Sequence, residues 1–217
     1  MVTGGFFVTC WHCVKEPLEP NVSYAAIYPA PNSPPGGAGL IPLDDLAQGA
    51  NGEDLAIARV TAPATPRLVL AERPGAMSEE VYTIGFPLLP PPEQQVSGNL
   101  IFADINPRFL RGYVTKAGVV ELANGRRVDS LEVDMLVPPG LSGAPLLRRG
   151  SLEVIGVLFG NHGSYSIDTM SSVNRLTGAV TPEVRSQVNF GLAHQTKRLW
   201  NVRGPALDHR TLRQFSA

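Results

Sequence analysis

The sequence predicts an all-β protein, a sandwich or a barrel, on three observations. Glycine and proline account for 22 and 20 of the 217 residues, which is more than their usual combined share of about 12% and indicates many turns. Short apolar runs lie between these turns, at the spacing that is typical of sandwiches and barrels. Only residues 195–201 have the pattern of a helix, and no other segment shows a helix-length period.

The first part of the chain carries three strand-like runs, which are separated by turn-rich segments. The predicted strands are residues 5–14, 23–28 and 54–60. We expect residues 29–39 to form a loop, because proline cannot donate a hydrogen bond to a sheet. Residues 61–73 hold several further prolines and are predicted to be a connector.

The rest of the chain continues the series of short strands. They are predicted at residues 81–86, 96–104, 112–122, 131–136, 145–147, 154–159 and 188–192. Residues 161–186 are polar and rich in turn formers, which predicts a long surface loop.

The patterns of charge and hydropathy argue against a nucleic-acid partner and a membrane partner. The formal net charge is -1, and the basic residues are scattered, whereas a nucleic-acid partner would require a basic stripe. No run of apolar residues is long enough to cross a membrane as a helix, so we expect no membrane partner. The first residues lack a basic start and a long apolar run, and we therefore expect no signal peptide and a cytoplasmic location.

The only two cysteines, Cys10 and Cys13, are three positions apart. If both lie in one extended strand, their side chains point to opposite faces, and we expect no disulfide between them. The chain has no second pair of cysteines and no pair of histidines at metal-binding spacing. We therefore expect neither a metal nor a cofactor.

Three short segments hold residue types that together suit acyl transfer. His12 ends an apolar strand, Asp54 opens another, and Ser142 lies in a glycine-rich turn. A serine hydroxyl becomes a good nucleophile when an imidazole takes its proton, and a carboxylate orients that imidazole. The turn lets the backbone N–H groups of Gly140 and Ser142 point at one oxyanion. Each segment alone is more often a packed histidine, a capping aspartate or an ordinary turn, but the combination indicates a catalytic triad.

The residues around these three positions match known motifs. Thr-Cys-Trp-His-Cys at His12, Asp-Leu-Ala-Ile at Asp54 and Gly-Leu-Ser-Gly-Ala-Pro-Leu at Ser142 are similar to Thr-Ala-Ala-His-Cys, Asp-Leu-Ala-Val and Gly-Asn-Ser-Gly-Gly-Pro-Leu. These are motifs of the trypsin-like serine peptidases, and the chain most resembles their HtrA-like bacterial branch. The resemblance covers about residues 3–200, and its order is His, Asp, Ser.

The resemblance implies a double β-barrel of the six-stranded type with a short C-terminal helix. Residues 1–73 would form the barrel that supplies the histidine and the aspartate, and residues 74–194 the barrel that supplies the serine. Residues 195–217 would form the helix and a tail. The chain begins inside the hairpin that leads to the histidine strand, so we expect the first barrel to lack its N-terminal strand.

The resemblance also implies an activity, that of a serine endopeptidase that cleaves proteins or peptides through an acyl-enzyme. By analogy, a regulatory partner or a larger assembly would control it. Leu141 stands where trypsins have an aspartate that pairs with a newly cut N-terminus, which excludes that route of activation. Ala144 replaces a glycine and requires a negative φ.

In this family the floor of the primary substrate pocket lies six positions before the nucleophile, which is Leu136 here. Gly191 would leave room on the wall opposite the edge strand that pairs with substrate. The residues of that edge strand are Val157, Leu158 and Phe159. An open pocket of this kind would favour a small or medium apolar residue before the cut bond. The alternative is that these residues are core and that the pocket is closed until something opens it.

Two other interpretations remain open. An α/β-hydrolase would use Ser142, Asp168 and His194, but Ala144 interrupts its Gly-x-Ser-x-Gly turn and the helices that this fold needs are missing. A catalytically silent barrel that binds peptides would keep the fold, and such a barrel would have lost one member of the triad. All three are present.

Overall fold

The computed structural model describes residues 5–14, 25–29, 38–49, 53–60, 68–86, 96–97, 100–101, 107–121, 125, 127–167 and 185–216. The strands are β1 (Phe6–Thr9), β2 (Ala25–Pro29), β3 (Ala38–Pro42), β4 (Asp44–Gln48), β5 (Ala56–Arg59), β6 (Val69–Leu70), β7 (Glu80–Gly85), β8 (Val96–Ser97), β9 (Leu100–Ile101), β10 (Arg108–Glu121), β11 (Arg127–Val133), β12 (Pro145–Arg148), β13 (Glu153–Ile167) and β14 (Arg185–Gln195). The helices are α1 (Thr196–Trp200) and α2 (Leu212–Ser216), and the 3₁₀ turns are Trp11–Cys13 and Pro205–Leu207.

These elements confirm the predicted all-β fold with a short helix near the C-terminus. Parts of several predicted segments, namely residues 23–24, 30–37, 61–67, 98–99, 102–104, 122 and 168–184, lie outside the described residues. Among the described helices, none is long and apolar enough to cross a membrane.

A small antiparallel sheet in the order β1-β5-β4 carries the N-terminal part of the site. Val8 pairs with Ile57 across β1 and β5, and both side chains are buried. The edge strand β4 was not predicted, because its sequence Asp-Asp-Leu-Ala-Gln is mostly polar and an irregularity interrupts its pairing between Asp44 and Ala47. A polar, irregular edge strand protects a sheet from pairing with other chains.

A seven-stranded sheet in the order β12-β7-β10-β11-β14-β13-β6 carries the C-terminal part. Strand β12 also pairs with β13, so the sheet closes on itself as a barrel. The neighbours in this sheet are antiparallel except β6 and β13, which are parallel. Strand β6 lies in the segment that was predicted to be a connector, and Val69–Leu70 is its part of the larger sheet.

Two predictions about local structure were wrong. The first strand ends at Thr9, and Trp11–Cys13 form a 3₁₀ turn rather than the end of a strand through residue 14. The predicted loop 161–186 is strand at both ends, because β13 continues to Ile167 and pairs with β14, which begins at Arg185. Its polar sequence did not indicate this pairing, which depends on a partner strand rather than on local preference.

The C-terminal segment packs against the first sheet. Helix α1 agrees with the predicted helix, whereas α2 and the turn Pro205–Leu207 were not predicted. The first core cluster includes five buried residues of this segment, namely Leu199, Val202, Ala206, Leu207 and Leu212. They share it with Phe6, Val8 and Ile57 of the small sheet and with Leu55 directly before β5. A second cluster fills the larger barrel.

Candidate active site

The 3₁₀ turn after β1 lifts His12 out of the sheet. The backbone N–H of Cys13 donates to the carbonyl of Cys10 over 3.2 Å, which closes the turn. The side chain of His12 is 39% exposed as a result. An extended chain would have placed this residue within the sheet, so the turn makes its ring accessible.

Asp54 holds His12 at two points. Its Oδ2 lies 2.7 Å from His12 Nδ1, and its Oδ1 accepts from the His12 backbone N–H over 2.8 Å. Because an ionised carboxylate can only accept, this contact favours the tautomer with hydrogen on Nδ1. The neutral ring then presents Nε2 as a proton acceptor on its opposite side.

Ser142 follows a tight turn with two prolines. The N–H of Leu141 donates to the carbonyl of Pro138 over 3.2 Å, and Gly140 has a φ of 89°. Proline at the second position and positive φ at the third define a type II turn, which explains why glycine is required here. Within the part of the chain that the structure describes, neither the N–H of Gly140 nor that of Ser142 donates to a protein acceptor.

Backbone hydrogen bonds hold the serine turn against β13 and the end of β1. The N–H of Gly143 donates to Leu158 O over 2.8 Å, and the N–H of Leu158 donates to Ala144 O over 2.9 Å. Gly143 has a φ of 88°, and a Cβ on it would overlap Thr9 Oγ1. This close approach brings the serine turn beside the last residue of β1, three positions before His12.

Ser142 itself makes two further contacts. Its Oγ donates to Phe159 O at 3.5 Å, which is long for a hydroxyl hydrogen bond. Its carbonyl accepts from the thiol of Cys13, with sulfur and oxygen 3.6 Å apart. The residues after β1 therefore contact both the aspartate and the serine segment.

The substitutions around the serine fit this packing. Leu141 is fully buried in the second core cluster, so the turn is anchored by an apolar side chain where trypsins use a salt bridge. Ala144 is not among the described residues with positive φ, and the methyl group in place of a glycine hydrogen therefore causes no backbone strain.

The predicted pocket residues lie in contrasting environments. The side chain of Leu136 is 58% exposed, whereas the next residue, Val137, is buried. A Cβ on Gly191 would lie 2.5 Å from Val137 Cγ2 and 2.8 Å from Met135 O. Val137 therefore fills the space that glycine at position 191 leaves. The role of Leu136 as a pocket floor stays a prediction.

Asn161, which sequence reasoning missed, connects β13 to the segment before the serine. Its Oδ1 accepts from the Val137 N–H over 2.8 Å, and its Nδ2 donates to Val137 O over 2.6 Å. It was missed because it fell in the predicted loop. The signal that could have found it is its position directly after the apolar run that ends in Phe159 and Gly160.

The edge-strand residues Val157, Leu158 and Phe159 differ in what their backbones contact. Val157 pairs on both sides, with Pro145 and with His194. The N–H and carbonyl of Leu158 are both taken by the serine turn. Phe159 is the first of the three with a carbonyl that faces Ser142, and its ring stacks on His194 with centroids 4.3 Å apart.

The α/β-hydrolase interpretation is wrong. The described sheets are antiparallel apart from one short pair, whereas that fold requires a mainly parallel sheet with helices between strands. His194 is buried within β14, and Asp168 lies outside the described residues.

The expectation that the two cysteines point apart was also wrong, because its premise of an extended strand fails. The two residues instead begin and end a hydrogen-bonded turn, in which the N–H of Cys13 donates to the carbonyl of Cys10. Interaction with the Cys10 thiol, together with the attraction of His12, lowers the pKa of Cys13 to about 6 against a smaller opposing effect of burial. Interaction with Cys13 and burial raise the pKa of Cys10.

Ligand atoms of Cys10, His12 and Asp54 lie within 4.8 Å of one another, which is close enough to share a metal ion. All three groups already have protein partners. His12 and Asp54 bond to each other, and the Cys10 thiol donates to Leu158 O over 3.1 Å. A metal would have to displace these hydrogen bonds.

Comparisons with solved structures agree with this fold. The active form of the Rv3671c protease from M. tuberculosis superposes with a TM-score of 0.56 at 16% identity, over 91% of this chain and 67% of that one. The protease domain of MamO from Magnetospirillum magneticum gives 0.56 at 15%, over 89% and 79%. The HtrA-type protease AlgW gives 0.55 at 18%, over 91% and 46%.

Sequence comparison identifies the family. No curated protein matches the chain. The family model described as a trypsin-like peptidase domain matches residues 2–157, a span that includes His12, Asp54 and Ser142 and most of both sheets. The chain belongs to the trypsin-like peptidase family.

Proposed function

We propose that this protein is a serine endopeptidase that hydrolyses peptide bonds through a triad of His12, Asp54 and Ser142. The observation that carries the proposal is the double hydrogen bond from Asp54 to His12, beside a serine turn whose two N–H groups have no described protein acceptor. Membership of the trypsin-like peptidase family supports the same reaction.

In the proposed mechanism, Ser142 Oγ attacks the substrate carbonyl and His12 Nε2 takes its proton. Asp54 stabilises the imidazolium that forms, and the N–H groups of Gly140 and Ser142 bind the oxyanion. His12 then gives the proton to the leaving amine, which leaves an acyl-enzyme. Water, activated by the same imidazole, releases the acid. The hydrogen bond from Ser142 to Phe159 O is long, so little is lost when the hydroxyl turns toward His12.

The proposed substrate is an extended peptide with a small residue before the cut bond. Because the backbone of Leu158 is already paired, a substrate strand would begin its pairing at Phe159. The side chain of Val137 and the amide of Asn161 limit the depth of the primary pocket. Glycine, alanine or serine suits such a pocket. A regulatory partner, a bacterial origin and a cytoplasmic location stay predictions.

The test compares wild type with Ser142→Ala and with Ser151→Ala, a serine in another turn of the same sheet. We expect a fluorophosphonate to label wild type and Ser151→Ala, and casein-derived peptides to be cleaved by both. Ser142→Ala should neither label nor cleave, since it lacks the nucleophile. A wild type that is folded by circular dichroism but neither labels nor cleaves would contradict the proposal and favour a peptide-binding barrel.

A further inference from the structure

The two cysteines are held at the separation that a disulfide needs. A hydrogen-bonded turn keeps the Cα atoms of its first and fourth residues within about 7 Å, and a disulfide spans Cα atoms about 4.4–6.8 Å apart. Cys10 and Cys13 are the first and fourth residues of such a turn.

The two thiols differ in accessibility. Cys13 is exposed, whereas Cys10 is fully buried beneath it. A small reagent from solvent can therefore reach Cys13 but not the buried Cys10. This arrangement separates a thiol that reacts first from a thiol that resolves the product.

The chemistry of the site suits this order of reaction. With a pKa of about 6, Cys13 is largely thiolate at neutral pH, whereas an ordinary thiol with a pKa of about 8.5 is largely protonated. The raised pKa of Cys10 keeps it protonated until it attacks. Thiolates, not thiols, attack peroxides.

We propose that Cys10 and Cys13 form a modification site at which hydrogen peroxide converts a dithiol into a disulfide within the turn. The Cys13 thiolate attacks one peroxide oxygen, the O–O bond breaks, and the hydroxide that leaves takes a proton to become water. The Cys10 sulfur then attacks the sulfur of the sulfenic acid on Cys13, so that the S–S bond forms, the S–O bond breaks, and the hydroxyl leaves with the Cys10 proton as a second water. The two thiols are oxidised by two electrons, and one peroxide is reduced to two waters.

The disulfide acts on the serine turn, a consequence that rests on the proposed peptidase function. Forming the S–S bond removes the Cys10 thiol hydrogen that Leu158 O accepts. Leu158 O also accepts from Gly143 next to the nucleophile. A shift of these contacts displaces Ser142 relative to His12, and small displacements of a reacting group cost on the order of 10-fold to 100-fold in rate.

The first experiment needs no peptidase activity, so that its failure is distinguishable from failure of the proposed function. Ser142→Ala protein is treated with hydrogen peroxide and analysed by intact mass and by non-reducing peptide mapping. We expect a loss of two hydrogens and a peptide with Cys10 linked to Cys13. Cys10→Ser should instead gain oxygen on Cys13, and Cys13→Ser should stay unmodified. Ser142→Ala protein that gains oxygen at Cys13, or that keeps both thiols free, would overturn the proposal.

Two further measurements test the order in which the two thiols react and the effect of the disulfide on the serine turn. Alkylation of Cys13 by iodoacetamide should rise with a midpoint near pH 6, and this midpoint should move upward in Cys10→Ala, because alanine removes the neighbouring thiol that lowers the pKa of Cys13. A midpoint at the ordinary thiol value would overturn the assigned order of reaction. In wild type, fluorophosphonate labelling should fall on the order of 10-fold after oxidation and recover with dithiothreitol; unchanged labelling of a disulfide-containing protein would overturn the effect on the serine turn.

Discussion

The histidine side and the serine side of the candidate site are held by different kinds of contact. His12 and Asp54 meet through hydrogen bonds of partly exposed side chains. The serine turn is held by backbone hydrogen bonds to β13 and by a glycine that lies against Thr9. Side-chain chemistry therefore decides the geometry on one side, and backbone conformation decides it on the other. Substitutions that remove one kind of contact and keep the other test this difference.

The largest expected effect is on the histidine side. Asp54→Asn keeps the shape of the side chain but offers an amide that favours the other imidazole tautomer. We expect kcat/KM to fall on the order of 10⁴-fold, as in the known serine-protease case. The free energy of unfolding should change by less than about 1 kcal/mol, since the groups are partly exposed. A fall in activity that follows a fall in stability would contradict this interpretation.

On the serine side, Gly143→Ala should act mainly on stability. Its φ of 88° and the overlap of a Cβ with Thr9 Oγ1 add strain, and we expect a loss of about 2–4 kcal/mol in urea unfolding. Gly150→Ala is the matched control, because Gly150 has a φ of 72° but no atom within 4 Å of the added Cβ. It should lose only about 1 kcal/mol. Equal losses of unfolding free energy in the two variants would show that Thr9 moves away from the added methyl group at no cost in stability.

The smallest expected effect is on substrate choice. Asn161→Ala removes both hydrogen bonds to the backbone of Val137, so this segment can move and deepen the pocket. We expect cleavage after valine or leucine to rise about 10-fold relative to cleavage after alanine, in line with about 1–3 kcal/mol per methylene. Asn189→Ala, on the neighbouring strand β14, is the control and should leave the profile unchanged. Cleavage-site profiling of a denatured proteome measures the effect.

Sequence patterns predicted what depends on local residue choice. Glycine and proline punctuation predicted the all-β fold, and the segments around Asp54 and Ser142 indicated a strand start and a tight turn. The same patterns failed where contacts with a distant segment of the chain decide the local structure. The apolar run into Cys10 gave no sign that the chain leaves the sheet there, and the polar residues after Asn161 form strand because β14 lies beside them. The contact of Asn161 with Val137 depends on tertiary packing, which no local pattern records.

The packing of the C-terminal segment has a consequence for synthesis. Five of its buried residues complete the core under β1 and β5, although His12, Asp54 and Ser142 all precede it in the chain. During translation, a chain that already contains every residue of the proposed triad still lacks the C-terminal residues that pack against the sheet next to His12. We expect such a chain to be inactive on the ribosome, because the sheet that orients His12 exposes its apolar face until about residue 212 emerges. The order of the chain would thus delay proteolysis until the segment that ends in Leu212 has been synthesised.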